Sequence, residues 1–102
     1  MKALFEYISV PTHCSFDAFR IEEKKFDCPF HYHPEIEITL IESSHGFRLI
    51  GDNLAPFQGG DLCLIGSNLA HMYYNSGLPT KGKQAHAEVI QFDLNIFADL
   101  LE

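Results

Sequence analysis

From Glu35 to Ile41 the chain alternates with period two, which on a strand puts Glu37, Thr39 and Ile41 on one face and Ile36, Ile38 and Leu40 on the other. The second set is wholly apolar, so either more of this chain or a partner subunit must cover it, and a homodimer is expected. Similar short runs rich in aromatic and β-branched residues recur along the sequence, punctuated by Gly, Pro, Asn and Ser. They predict strands over residues 4–10, 18–23, 26–33, 35–42, 46–51, 54–57, 62–65, 71–74 and 87–92. Strands this evenly spaced, with no helical pattern between them, predict an all-β antiparallel sandwich or barrel. A short helix is expected only at the end, where Asp93 or Asn95 caps it and Ile96, Phe97, Leu100 and Leu101 share the face that packs on the wall. The turn-rich stretch 75–84 is expected to be a surface loop, placed where it could lie over a barrel mouth.

A length of 102 residues allows one domain around one core. With 46% hydrophobic and 21% charged residues, the composition is that of an ordinary folded globule and excludes a disordered chain. The formal charge of -7 argues against a phosphate-backbone binder, since such binding draws on clustered Lys and Arg. Cys14, Cys28 and Cys63 are odd in number and unrelated in spacing, which suits free thiols in a reducing compartment. Glu6 interrupts the apolar start before it could form a signal-peptide core, and no apolar run approaches the ~18 residues of a membrane span. A cytoplasmic protein with no membrane partner is expected.

Candidate chemistry is concentrated in the histidines. In His31-Tyr32-His33 the two imidazoles stand on one face of a strand with Tyr32 turned away. Pro34 bends the chain, so that Glu37 returns on the neighbouring strand to face them. Downstream, Gly59-Gly60-Asp61 turns, 62–65 forms a strand, and Gly66-Ser67-Asn68 turns again, so that His71 opens a strand antiparallel to its predecessor. Imidazoles with one carboxylate suit iron, manganese, nickel, copper or zinc as a divalent cofactor. The same four groups could instead satisfy one another as a buried hydrogen-bonded network with no ion.

At these positions the sequence resembles the cupins. The first cupin motif matches at His31, His33, Glu37 and Gly46, the last coming later than the strict pattern has it. The second matches at Gly60, His71 and Asn75, with Gly66 and Asn68 standing where Pro and Gly would be. The resemblance implies a double-stranded β-helix, or jelly-roll barrel, with a metal held by His31, His33, Glu37 and His71. From about Phe26 onward the wording is also similar to the N-terminal domain of AraC-type transcription regulators, carried by 31–37, 46–52 and 60–71. That likeness implies an effector-binding, dimerising barrel. Reading DNA would take a helix-turn-helix segment after Glu102, so these residues themselves are not expected to bind nucleic acid.

Among the remaining residues, Tyr73 shares the parity of His71 and, with Thr39, is a candidate to line a ligand pocket, while Met72 and Tyr74 face away. Glu35, His13, His45 and His86 read as surface, Cys28 as a small hydrophobe in a wall strand, and Arg48 as the partner of Asp52 or another acid outside the barrel. No Ser or Cys stands in a nucleophile elbow, and no Gly-rich phosphate loop is present. A small-molecule-binding barrel is therefore expected. The alternative is a metal-dependent oxygenase or isomerase, for which Tyr73 is the one acid–base candidate beyond the ligands.

Overall fold

The computed structural model describes residues 2–8, 16–75 and 84–97. Their strands are β1 (Leu4–Phe5), β2 (Phe16–Glu23), β3 (His31–Tyr32), β4 (Ile36–Ser43), β5 (Gly46–Ile50), β6 (Asn53–Phe57), β7 (Leu62–Ile65), β8 (His71–Asn75) and β9 (Ala85–Phe92). They form a five-stranded sheet in the order β1-β3-β8-β5-β6 and a four-stranded sheet in the order β2-β9-β4-β7. The core lies between the sheets, where Phe26, Phe57 and Tyr73 meet Ile41, Cys63, Ile65, Ala85 and Ala87. On β4 the predicted alternation holds: Glu37, Thr39 and Ile41 are buried, Ile36 and Ile38 are half-buried, and Leu40 is exposed. On the central strand β9 the inward set is Ala85, Ala87, Val89 and Gln91. Ala87 in the middle of a sheet fills little volume, and the interior beside it stays hollow.

Several expected elements are corrected. The run 26–33 gives only β3, because Pro29 has no N–H to offer a ladder and the Phe26 N–H goes to Asn75 Oδ1 at 2.6 Å, leaving Asp27 a single bridge to Tyr74. From 4–10 only β1 is found among the described residues, and it pairs parallel to β3 rather than antiparallel. Strand β8 does not pair with its predecessor. The turn 66–70, with Asn68 at a φ of 60°, carries the chain from one sheet to the other, where β8 pairs with β3 and β5. Where the terminal helix is expected to begin, the described residues form a 3-10 turn over Leu94–Phe97, started by Asp93 Oδ1 accepting the Asn95 N–H at 2.8 Å. The apolar face expected of Ile96, Phe97, Leu100 and Leu101 lies outside what is described, as do residues 76–83 of the expected loop, His13 and Cys14. No helix among the described residues is long and apolar enough to cross a membrane.

Two matched motif positions have structural work. A Cβ on Gly46 would collide with the Tyr74 carbonyl oxygen, so only glycine lets β5 run this close to β8. Asn75, at the end of β8, accepts from Phe26 N and donates through Nδ2 to Ser44 Oγ and to the His45 carbonyl, tying three segments together at one end of the sandwich. Asn75→Ala leaves these groups without their partner. We expect it to lower unfolding free energy by about 1–3 kcal/mol, read as a fall in the urea midpoint at unchanged slope.

Candidate metal centre

The site forms where both sheets send polar side chains inward at the same level. His31 on β3 is the register partner of His71 on β8, so their rings lie side by side with centroids 4.3 Å apart. His33 follows β3 at the crossover to the other sheet, with its carbonyl held by the Asn68 N–H at 2.8 Å. Glu37, predicted on a strand next to the histidines, stands instead on the opposing sheet, between Ile65 and Gln91. Pro34 and Glu35 thus mark a change of sheet. The donor atoms of His31, His33, Glu37 and His71 all lie within 4.8 Å of one another, and all four residues are buried.

Each ring is turned the same way by a backbone carbonyl. His31 Nδ1 is 2.7 Å from Pro29 O, His33 Nδ1 3.0 Å from Glu35 O, and His71 Nδ1 2.8 Å from Leu69 O. A carbonyl only accepts, so Nδ1 carries the hydrogen and Nε2 of a neutral ring presents its lone pair to the centre. His33 Nε2 lies 3.3 Å from Glu37 Oε1 and His71 Nε2 3.5 Å from Glu37 Oε2. Both nitrogens are buried without a hydrogen-bond partner. Two donors on one ion at ~2.1 Å stand about 3.0 Å apart when cis and 4.2 Å when trans. The observed spacings fall in that range, and the buried lone pairs are what a divalent ion would satisfy.

The carboxylate itself is held from both sides. Thr39 Oγ1 donates to Oε2 at 2.7 Å and Gln91 Nε2 to Oε1 at 3.0 Å. Burial pushes Glu37 toward the neutral acid, but His33, His71, Gln91 and Thr39 outweigh it and hold the carboxyl far below its usual range. Burial likewise lowers His31. At His33 burial acts downward too, yet the facing Glu37 carboxylate prevails and the pKa is raised.

Beside His31, Glu37 and His71 lies a cavity of about 130 Å³, walled by Phe19, Ile21, Phe26, Ile41, Ala87 and Val89, with Thr39 and Tyr73 on its lining. Exposed Glu6, Phe19 and Cys28 place its opening between the β1–β3 edge of one sheet and the β2 edge of the other. Thr39 spends its hydroxyl hydrogen on Glu37, whereas the Tyr73 hydroxyl is buried and unpartnered. Burial, then Cys63, raises the Tyr73 pKa well above the ordinary phenol value.

Three neighbours depart from expectation. Glu35 turns inward, half-buried, 3.9 Å from His33 Nδ1, because its own carbonyl anchors that ring. Cys28 is in no strand and is exposed at the cavity opening. Arg48 lies on the same side of β5 as its register partner Tyr73 and pairs with Asp61 at 3.1 Å, not with Asp52. Met72 is half-buried, Tyr74 and His45 are exposed, and His86 is half-buried on the outward set of β9. Gln91 and Glu6 escaped the sequence reading. Gln91 was findable as the polar member of the inward set it shares with Ala87 and Val89; Glu6 had no local signal.

Added Co2+ or Zn2+ should raise the melting temperature of the metal-free protein by roughly 10 °C or more at a hundredfold excess over Kd, and His71→Ala should abolish the rise. Against burial, the facing Glu37 carboxylate raises the His33 pKa, so this ring holds a proton more readily than a free imidazole and an incoming ion must displace it. Binding should therefore release protons and weaken as pH falls, read calorimetrically as a buffer-dependent enthalpy.

No family model matches the chain, and no curated protein matches it. Solved structures do. A cupin 2 conserved barrel domain protein from Salinispora arenicola aligns at a TM-score of 0.65 and 19% identity, over 92% of this chain and 77% of its own. A cupin 2 domain-containing protein from Halorhodospira halophila gives 0.63 and 14%, over 89% and 67%. The plu4264 protein from Photorhabdus luminescens gives 0.62 and 23%, over 87% and 75%. Two facing sheets with three inward imidazoles and one carboxylate at a shared level thus sit on the fold of the cupin 2 barrel-domain proteins.

Proposed function

We propose that this chain is a small-molecule-binding barrel of the cupin kind, with a divalent metal held by His31, His33, Glu37 and His71 at the wall of its cavity. The observation that carries the reading is the convergence of buried, unpartnered Nε2 atoms on a carboxylate beside an apolar hollow. A bound divalent ion would act as a Lewis acid with positions open to an oxygen, nitrogen or sulfur donor of the ligand. Gln91 and Thr39 keep the carboxylate in place, the three carbonyls keep the rings in place, and the apolar wall takes the rest of the ligand. A cavity of about 130 Å³ compares with the ~150 Å³ that holds a benzene, so the ligand is small.

Binding without turnover is favoured over an oxygenase or isomerase. Outside the rings and carboxylates, the acid–base groups on the lining among the described residues are the Cys28 thiol, pushed up by burial, and Tyr73. With its pKa so raised it can donate a hydrogen bond but not accept a proton as a base. This agrees with an effector-binding role such as the resemblance to AraC-type regulators implies. The test is metal analysis of protein purified without an affinity tag, then a thermal-shift screen of small oxygen, nitrogen and sulfur donors with and without the ion. We expect ligands whose shift needs the metal and vanishes in Glu37→Gln. Oxygen uptake or product formation with catechols, thiols or keto acids would overturn the binding reading in favour of the enzyme.

We also propose that the outer face of the four-stranded sheet meets a second copy of this chain. Register aligns Ala18, Ile90, Ile38 and Leu64 in a row across all four strands, with Leu40 and Leu62 beside them, and Leu62 and Leu64 are 65% and 72% exposed. Arg20 with Glu22, Glu42 and Glu88 borders this patch, the apolar centre and charged rim of an interface. A dimer in light scattering that becomes monomeric in Leu64→Glu would support it, and a monomeric wild type would refute it.

A further inference from the structure

Among the described residues, Glu6 is the charged side chain at the cavity opening that meets a member of the donor cluster: its Oε2 lies 3.6 Å from His31 Nε2, while its carboxylate does not lie within 4.8 Å of all four donors. It is held there by backbone. The Leu4 N–H donates to Phe30 O at 2.9 Å and the Glu6 N–H to Tyr32 O at 3.0 Å, while the Phe5 ring meets Tyr32 edge-on at 5.6 Å. The parallel strand β1 thus lies along the strand that bears His31 and carries a carboxylate to the open side of the site. Pro29 O occupies the Nδ1 hydrogen of His31, so a neutral ring turns a lone pair, not a donor, toward Glu6. Two acceptors facing each other repel unless a cation lies between them. The separation of 3.6 Å from His31 lies within the span of two ligands of one ion, between about 3.0 Å for cis and 4.2 Å for trans at ~2.1 Å bonds, and the full donor set is reached only when the side chain swings inward. Unlike the buried Glu37, the Glu6 side chain is 46% exposed and free of other ion pairs among the described residues, so it can swing away.

We propose that Glu6 is a displaceable fifth protein ligand, which closes the metal's open side until an incoming ligand takes its place. This rests on the metal-binding reading above. The experiment uses the full chain loaded with Co2+, whose d–d absorption reports coordination number, and azide as the exogenous donor. Glu6→Ala should change the d–d spectrum, weaken Co2+ binding by roughly tenfold and tighten azide binding by a similar factor, since azide no longer competes with the carboxylate. Glu23→Gln removes another acid near the opening and should change neither the spectrum nor the azide affinity, which separates ligation from general charge. An unchanged spectrum and azide affinity in Glu6→Ala, whatever the effect on Co2+ affinity, overturns the proposal while leaving the four-ligand centre standing. A wild type that takes up no Co2+ overturns both.

Discussion

An ionised carboxylate between two sheets is the constraint around which this molecule is arranged. Removing Glu37 from water costs several kcal/mol unless its oxygens are met by donors or cations. Gln91 and Thr39 donate to it from its own sheet, while Nε2 of His71 from the facing sheet and of His33 from the crossover stand 3.5 and 3.3 Å away, contacts that attract only with a cation between them or a proton on the ring. The contact that makes the site is therefore also one of the contacts that fixes how the sheets face each other. With the rings held by the carbonyls of Pro29, Glu35 and Leu69 and the carboxylate by Thr39 and Gln91, no side chain of the set turns without breaking a hydrogen bond. A preorganised donor set follows, because the geometry a metal needs is already required to keep the anion buried.

The rest of the interior is graded away from that level. Beyond Glu37 the inward residues of β4 are Thr39 and then Ile41, and those of β9 run from Gln91 through Val89 to Ala87 and Ala85. Polarity falls along both strands, and Ala87 leaves room where a larger residue would close the space. The result is a hollow with donors at one side and apolar wall at the other, suited to a ligand that is itself polar at one end. Access lies along the edges of the sheets, where β1 and β2 are outermost and where Glu6 and Cys28 stand.

How much of the site the sequence disclosed depended on how local the signal was. His31 and His33 stand two apart, and Glu37 lies in the same alternating segment as Thr39 and Ile41, so short-range periodicity exposed them. His71 followed from motif spacing. Gln91 lies 54 residues from Glu37, and its role arises only because β9 falls beside β4 in the register that pairs the two. Arg48 is expected to pair outside the barrel with Asp52 or another acid, and it reaches Asp61, brought near as the chain enters the other sheet. Glu35 and Cys28 were misjudged for a related reason. Neither lies in a regular strand, so parity says nothing about where their side chains go.

The sequence by itself determined the strand-rich class, the inward and outward faces of β4, and the four residues with metal-ligand chemistry. Apart from His71, which came from motif spacing, these follow from side-chain type and a repeat of two along an extended segment, which sterics impose wherever the segment ends up. Tertiary structure alone decided that β7 and β8 part into different sheets, that β1 runs parallel to β3, and that Glu37 faces the histidines from across the sandwich. It also decided which carbonyl orients each ring and which distant amide holds the carboxylate. Those outcomes depend on which strands become neighbours, and that choice is made by the burial and hydrogen bonding of the whole chain, not by any window of it.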